Sequence, residues 1–223
     1  MKPTTVNRKL ASLSALYRWA GETGQAERDP TRYVNGIKQQ PVAPKALSKQ
    51  DLTRILREAR KGSKRDAALI EFLAATGLRA AEVAGLTVGD VALNERSGWV
   101  TVRGKGRKQR KVPIHARARR ALQEYLEEHG DPAGDEPLFL SQKGGTLTPY
   151  AVWYTVKKYA ALAEVEGVTP HTFRHTVATQ LVRDPEVDLV TAATFLGHSR
   201  LDTTARYSQP NAENLAKAAE RLE

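Results

Sequence analysis

A single alternating segment sits in a chain whose other periodicities are helical. WVTVR at 99–103 places every second side chain on one face, and RKVPI at 110–114 can pair back on it across the glycine-containing turn GKGRKQ. Everything around this hairpin repeats at steps of three and four residues, so the only sheet the sequence predicts is small and antiparallel. The fold class that follows is mainly α with a small antiparallel β-sheet.

Start and stop signals set the helices. Thr4 or Thr5 caps a first helix to about Ala20, with Val6, Leu10, Leu13, Tyr17 and Ala20 on one face and Gly21 and Gly24 at its end. Arg8 and Lys9 lie off that stripe. Ser48 with Asp51 forms a capping box before Leu52, Ile55, Leu56 and Ala59. A further helix covers Asp66 to Thr76, and a short helical turn after Gly77 carries Arg79 and Glu82. Beyond the hairpin, helices are expected over Ala116 to His129, after Thr148-Pro149, after Thr169-Pro170 and over Val187 to Leu196. A last one, 211–222, is capped by Asn211 and carries the narrow stripe Leu215, Ala218, Ala219 and Leu222. The stretch NGIKQQPVAPKA, 35–46, has two prolines, a glycine and little apolar content, and reads as a linker between residues 1–34 and a domain over 47–223.

Charge narrows the class of partner. Thirty-five Lys and Arg against 25 Asp and Glu give +10, a balance that favours a polyanion. The excess is concentrated: Arg103 to Arg120 contains nine basic residues and no acidic one. Such a run is a solvated face or an anion-binding face. The segment from Asn211 onward is slightly acidic and is not expected to track DNA. No cysteine is present, which removes disulfides, thiol catalysis and cysteine-ligated zinc. No apolar run approaches the ~20 residues that cross a bilayer, and MKPTTVNRKL lacks an apolar signal core, so no membrane association and a cytoplasmic location are expected.

Five segments carry the chemistry: TGLRAAE at 76–82, RGKGRKQR at 103–110, PHTFRH at 170–175, LGHS at 196–199 and TTARYS at 203–208. In this order, with Tyr207 nine residues after His198, they resemble the tyrosine recombinase family, the phage integrases and Xer-type site-specific recombinases. The resemblance covers the catalytic domain from about Leu47 to the end. It also covers TTVNRKLASLSALYRWA, which is similar to the last helix of the preceding DNA-binding domain. Residues 1–34 are therefore expected to be a partial core-binding domain, leaving the clamp around DNA incomplete.

The resemblance implies roles, and the chemistry explains why these residue types serve. A phosphodiester is anionic, and in-line attack builds more charge on its non-bridging oxygens. Forked guanidiniums can hold those oxygens, and the resemblance puts Arg79 and Arg174 there. It makes Tyr207 the nucleophile, His171 the group that takes or orients its proton, and His198 a hydrogen-bond donor to the scissile phosphate. A phenol titrates near pH ~10 and needs a neighbouring base or cation to attack at neutral pH. The lysine of Gly-Lys-Gly, Lys105, maps to the general acid that protonates the departing 5′ oxygen. His175 supports the site, and Glu82 orients Arg79 by an ion pair. Lys108 and Lys111 are phosphate contacts or plain solvated charges. Arg8, Lys9, Arg103, Arg107 and Arg110 complete the expected DNA-facing set.

His171 and His175 are four apart on a helix, yet the position that a metalloprotease motif fills with glutamate holds Thr172, and no metal site is expected. GKGRK lacks the spacing of a nucleotide loop. No cofactor is expected. The implied reaction is cleavage of duplex DNA through a 3′-phosphotyrosyl link, then attack on that link by a 5′ hydroxyl of a partner duplex. The implied assembly is a tetramer on two sites formed from free monomers, with the C-terminal helix packed on a neighbouring protomer or in cis. Two other readings share these residues. A type IB topoisomerase-like enzyme would relax DNA without exchanging partners, and a DNA-binding regulator would form no covalent adduct.

Overall fold

Most of the helix-start signals become caps. The structure, a computed structural model, describes residues 1–38, 46–104, 109–128, 130, 132–198, 201–205 and 207. The chain divides into two units, Met1–Ala43 and Pro44–Glu223.

The first unit holds α1, Pro3–Glu22. The helix starts one residue before the expected threonines because Pro3 occupies its first position, where the fixed φ of proline suits a helix and its missing N–H is not needed. Gly21 lies inside α1, and the left-handed Gly24 follows it. No residue of α1 is buried. The Asn7 side chain donates to the Ile37 carbonyl (2.9 Å) and accepts from the Ile37 N–H (2.8 Å), closing residues 23–38 back on the helix.

In the second unit, α2 (Lys49–Arg60) and α3 (Lys64–Thr76) are capped by Ser48 and Ser63, whose hydroxyls accept from the N–H groups of Asp51 and Asp66. The short α4 (Ala80–Ala84) follows, then a 3-10 turn at Val88–Asp90. The sheet has three antiparallel strands in sequence order: β1 (Val91–Leu93), β2 (Gly98–Arg103) and β3 (Gln109–Pro113). The hairpin is the one expected, with Val102 opposite Arg110 and Val100 opposite Val112. β1 is an addition; three residues are too short to display an alternation. The remaining helices are α5 (Ala116–Glu128), α6 (Pro149–Leu162), α7 (Pro170–Arg183), α8 (Leu189–Leu196) and α9 (Leu201–Ala205). α8 starts later than expected because Asp188 caps it, accepting from Val190 and Thr191.

One core joins the sheet to these helices. α3 is its axis: Leu69, Ile70, Phe72 and Leu73 are fully buried, and it packs against α2, α5 and α7. Phe139 stacks on Tyr125 of α5 and meets Phe72 edge-on, at centroid distances of 5.7 and 5.8 Å. Asp66, also buried, accepts from Arg65, Lys158 and the Tyr159 hydroxyl, tying α3 to α6. α8 packs on α7, α9 and β3, and α4 on α6. These packings gather the ends of α3, α4, α7 and α8 at one place. The expected helix over 211–222 lies outside the described residues. No described helix is long and apolar enough to cross a membrane.

Candidate active site

Two left-handed glycines build the floor of the site. Gly77 ends α3 (φ 59°) and Gly197 ends α8 (φ 65°), a backbone region that disfavours side chains. At Gly77 a Cβ would also lie 3.1 Å from Val177 on α7. The turns bring two carbonyls to Arg174: Nη1 donates to Gly77 O (3.0 Å) and Nη2 to Leu196 O (2.5 Å). Both acceptors sit at helix C-termini, where the peptide dipoles present their negative ends. Arg174 is thus held by peptide dipoles, and among the described residues no carboxylate forms an ion pair with it. It is only 4% exposed, and burial, with Arg79 next, pushes its pKa down to about 10.

Glu82 organises the other cations. Its carboxylate accepts from the Arg79 backbone N–H (2.9 Å) and Arg79 Nη1 (3.0 Å), and from Arg110 Nη1 and Nη2 (both 3.0 Å). Burial raises the Glu82 pKa, but the Arg110 hydrogen bonds, the Arg79 N–H and the two guanidinium charges outweigh it and hold the carboxyl below its usual range. Among the described residues, Arg79, Arg110 and Arg174 against the Glu82 carboxylate leave a net charge of +2.

Three histidines line the same region. Burial, then Arg174, Arg79 and Arg110, push the His198 pKa down to about 4, so its imidazole is neutral at pH 7. Its Nδ1 shares a 2.8 Å hydrogen bond with Thr204 Oγ1 of α9. His175 is also lowered, by burial and then by His171 and Arg174. Its Nδ1 shares a 2.5 Å hydrogen bond with the Tyr207 hydroxyl. Tyr207 rests on the small apolar cluster Val177, Ala178 and Leu196.

Arg79, Glu82, His175, Arg174, His198 and Tyr207 therefore converge, from positions spread over 129 residues of sequence. His171 lies next to His175, with ring centroids 6.5 Å apart, but it is His175 that meets Tyr207. Arg110, expected to face DNA, is turned into the site and is only 12% exposed. The alternation of β3 carried that signal, because Arg110 shares the inward face with the buried Val112 and Ile114. Thr204, Gly77 and Gly197 fall within the site motifs, but the sequence assigns them no role in the site. Arg103 points outward at 68% exposure and donates to Asp90 (3.1 Å). Arg8, Lys9 and Lys111 are exposed. Lys105, Arg107 and Lys108 lie outside the described residues.

The phage integrase family profile matches residues 45–214 of this chain. The chain belongs to the phage integrase family of tyrosine recombinases. It is 36% identical over 224 residues to tyrosine recombinase XerD of Yersinia pestis, a match covering 96% of this chain and 74% of the relative. It is 32% identical over 219 residues to tyrosine recombinase XerC of Pelobacter propionicus, covering 96% and 72%. Among solved structures, the XerH site-specific recombinase bound to difH substrate in a pre-cleavage complex is 28% identical with a TM-score of 0.74, covering 93% of this chain and 62% of that one. The Tn1549 transposon integrase, at 22% identity and a TM-score of 0.77, shares the fold.

Proposed function

We propose that this chain is a site-specific recombinase that cleaves and rejoins double-stranded DNA through a 3′-phosphotyrosyl intermediate on Tyr207. One observation carries the reading: a tyrosine hydroxyl hydrogen-bonded to a neutral imidazole beside a cluster of net charge +2. With the proton of His175 on Nε2, Nδ1 accepts the phenolic proton as the oxygen attacks phosphorus, and the adjacent His171 shares or relays that proton. Arg79 and Arg174 hold the non-bridging oxygens, where charge grows in the transition state; preorganised cations there contribute strongly because the fold has already oriented them. The Nδ1 of His198 is engaged by Thr204, which directs Nε2 to donate to the phosphate. Lys105, in the segment of sequence between β2 and β3, protonates the departing 5′ oxygen. Attack by a 5′ hydroxyl of a second duplex restores a phosphodiester and frees Tyr207. One phosphoester replaces another, so neither ATP nor a cofactor is consumed.

Arg103, Arg107, Lys108 and Lys111, with Arg8 and Lys9, contact DNA phosphates in this reading, and four protomers assemble on two duplexes from monomers free in solution. The segment 211–222 packs on a neighbouring protomer, and the protein acts in the cytoplasm. The 1–34, 35–46 and 47–223 segments serve as partial DNA-binding domain, linker and catalytic domain.

The test is covalent trapping. Sites are selected from a random duplex pool and rebuilt with a nick that lets the 5′-hydroxyl fragment escape after cleavage. Wild type is expected to give a protein–DNA adduct that survives denaturation and chelator, and Tyr207→Phe none. Salt-dependent binding at full occupancy with no adduct would refute the enzyme reading.

A further inference from the structure

Arg110 makes three inward hydrogen bonds that join three separate elements. It stands on β3. Its Nη1 and Nη2 each donate to one oxygen of Glu82 on α4, and its Nε donates to the Phe195 carbonyl near the end of α8 (3.2 Å). Three of the five guanidinium N–H groups are thereby committed to the protein. The side chain lies so close under the α8 turn that a Cβ at Gly197 would fall 2.6 Å from Nη1.

We propose that Arg110 is a positioning residue for strand cleavage: it offsets the charge of Glu82 so that the Arg79 guanidinium stays available to the scissile phosphate, and it tethers the turn that carries His198. The inference rests on the recombinase reading above. Glu82 is 10% exposed and lies between two arginines. With both present, the trio carries a net charge of +1, and the carboxylate does not fully neutralise Arg79. Without Arg110, a partly buried carboxylate has Arg79 as its remaining guanidinium, so the pair becomes neutral and Arg79 is drawn toward Glu82. The Phe195 carbonyl loses its donor in the same change, three residues before His198. A lysine would restore the charge but not the fork, because one ammonium cannot meet both Glu82 oxygens and the Phe195 carbonyl in the planar geometry of a guanidinium.

Single-turnover adduct formation on the nicked duplex, with the DNA dissociation constant measured alongside, separates the roles. Arg110→Gln is expected to lower the cleavage rate at saturating DNA by about 50-fold, below the ~10²–10³-fold loss of a donor that touches the transition state, while affinity changes less than about threefold. The added Glu82→Gln substitution removes the charge that Arg110 offsets and keeps the acceptor for the Arg79 N–H. The double variant is therefore expected to recover at least about fivefold over Arg110→Gln alone, a coupling that independent sites do not show. Arg110→Lys, which keeps the charge in a site able to fold around it, is expected to cleave about tenfold more slowly than wild type. Three results would overturn the proposal: a double variant as slow as or slower than Arg110→Gln, wild-type cleavage by Arg110→Lys, or a loss confined to DNA affinity. A wild-type protein that forms no adduct at full occupancy would instead overturn the recombinase reading itself, and this inference with it.

Discussion

The Nδ1 atom of His175 lies 2.5 Å from the hydroxyl of Tyr207, a contact that bridges 32 residues of sequence between α7 and the segment after α9. It fixes the phenol on the same helix that presents Arg174. The Tyr207 phenol and the Arg174 guanidinium are thus referred to one helix, and small shifts of α9 need not misalign them.

His175→Gln is expected to slow adduct formation by about 10²-fold, at the lower end of what a positioned base contributes. Because His171 is the neighbouring imidazole, the His171→Gln and His175→Gln double variant is expected to lose more than the two single losses combined. Single-turnover kinetics on the nicked duplex measures this. A double variant equal to His175→Gln would show that His171 does not substitute as the base and acts at most behind His175.

Acid should weaken the fold before its carboxylates titrate. His198 has a folded pKa of about 4 against an ordinary 6.5. The unfolded chain therefore binds more protons there, and stability rises with pH across that window and falls as pH drops from 6.5 toward 4. His175, also lowered, acts in the same direction. The contributions of Glu82 and Asp66, whose pKa values are depressed, are present above their ordinary values of 4.5 and 3.8 and are lost below them. Melting temperatures between pH 7 and 5 thus report the histidines, and His198→Asn should flatten that slope. An unchanged slope would contradict the buried, neutral His198.

Arg174→Lys should unfold more easily, by about 3 kcal/mol, because a single ammonium leaves one of the two buried carbonyls without its donor. Adduct formation should fall further than stability accounts for. Denaturant melts and trapping at matched occupancy separate the two effects. Wild-type stability in this variant would show that the carbonyl anchors are dispensable.

Gly62→Ala offers a control away from the chemistry. Its added Cβ would overlap the Tyr159 hydroxyl, which donates to Asp66. Displacing that ring should cost about 2 kcal/mol, typical of overpacking, and leave the cleavage rate of the folded fraction unchanged. Slower cleavage at saturation would extend the catalytic unit to the α3–α6 contact.

Much of this architecture is written in local signals. Ser48, Thr148 with Pro149, and Thr169 with Pro170 mark helix starts that the structure reproduces, and the alternation of WVTVR gives the hairpin, though not its register. β1 was not legible, since Val91–Leu93 is held by its pairing with β2 and not by its own pattern. In the site, residue types were legible but mutual geometry was not. Whether His171 or His175 meets Tyr207 depends on the helical phase of α7 relative to α9, which no spacing along one helix records. The anchors of Arg174 are backbone carbonyls, and carbonyls have no letter in a sequence. Arg110 was assigned to the DNA surface by the basic run around it, although strand alternation alone turns it inward.

Folding brings Arg79, Arg110 and Arg174 close to the Glu82 carboxylate, and the Arg174 pKa is lowered first by burial and then by the neighbouring guanidinium charges. The packing of the core keeps these like charges together in the native state. A phosphate bound between the guanidiniums would offset their mutual repulsion. DNA should therefore do more than occupy this protein: bound at the site, it should raise the melting temperature beyond what the same charge would achieve on the outer face of the hairpin.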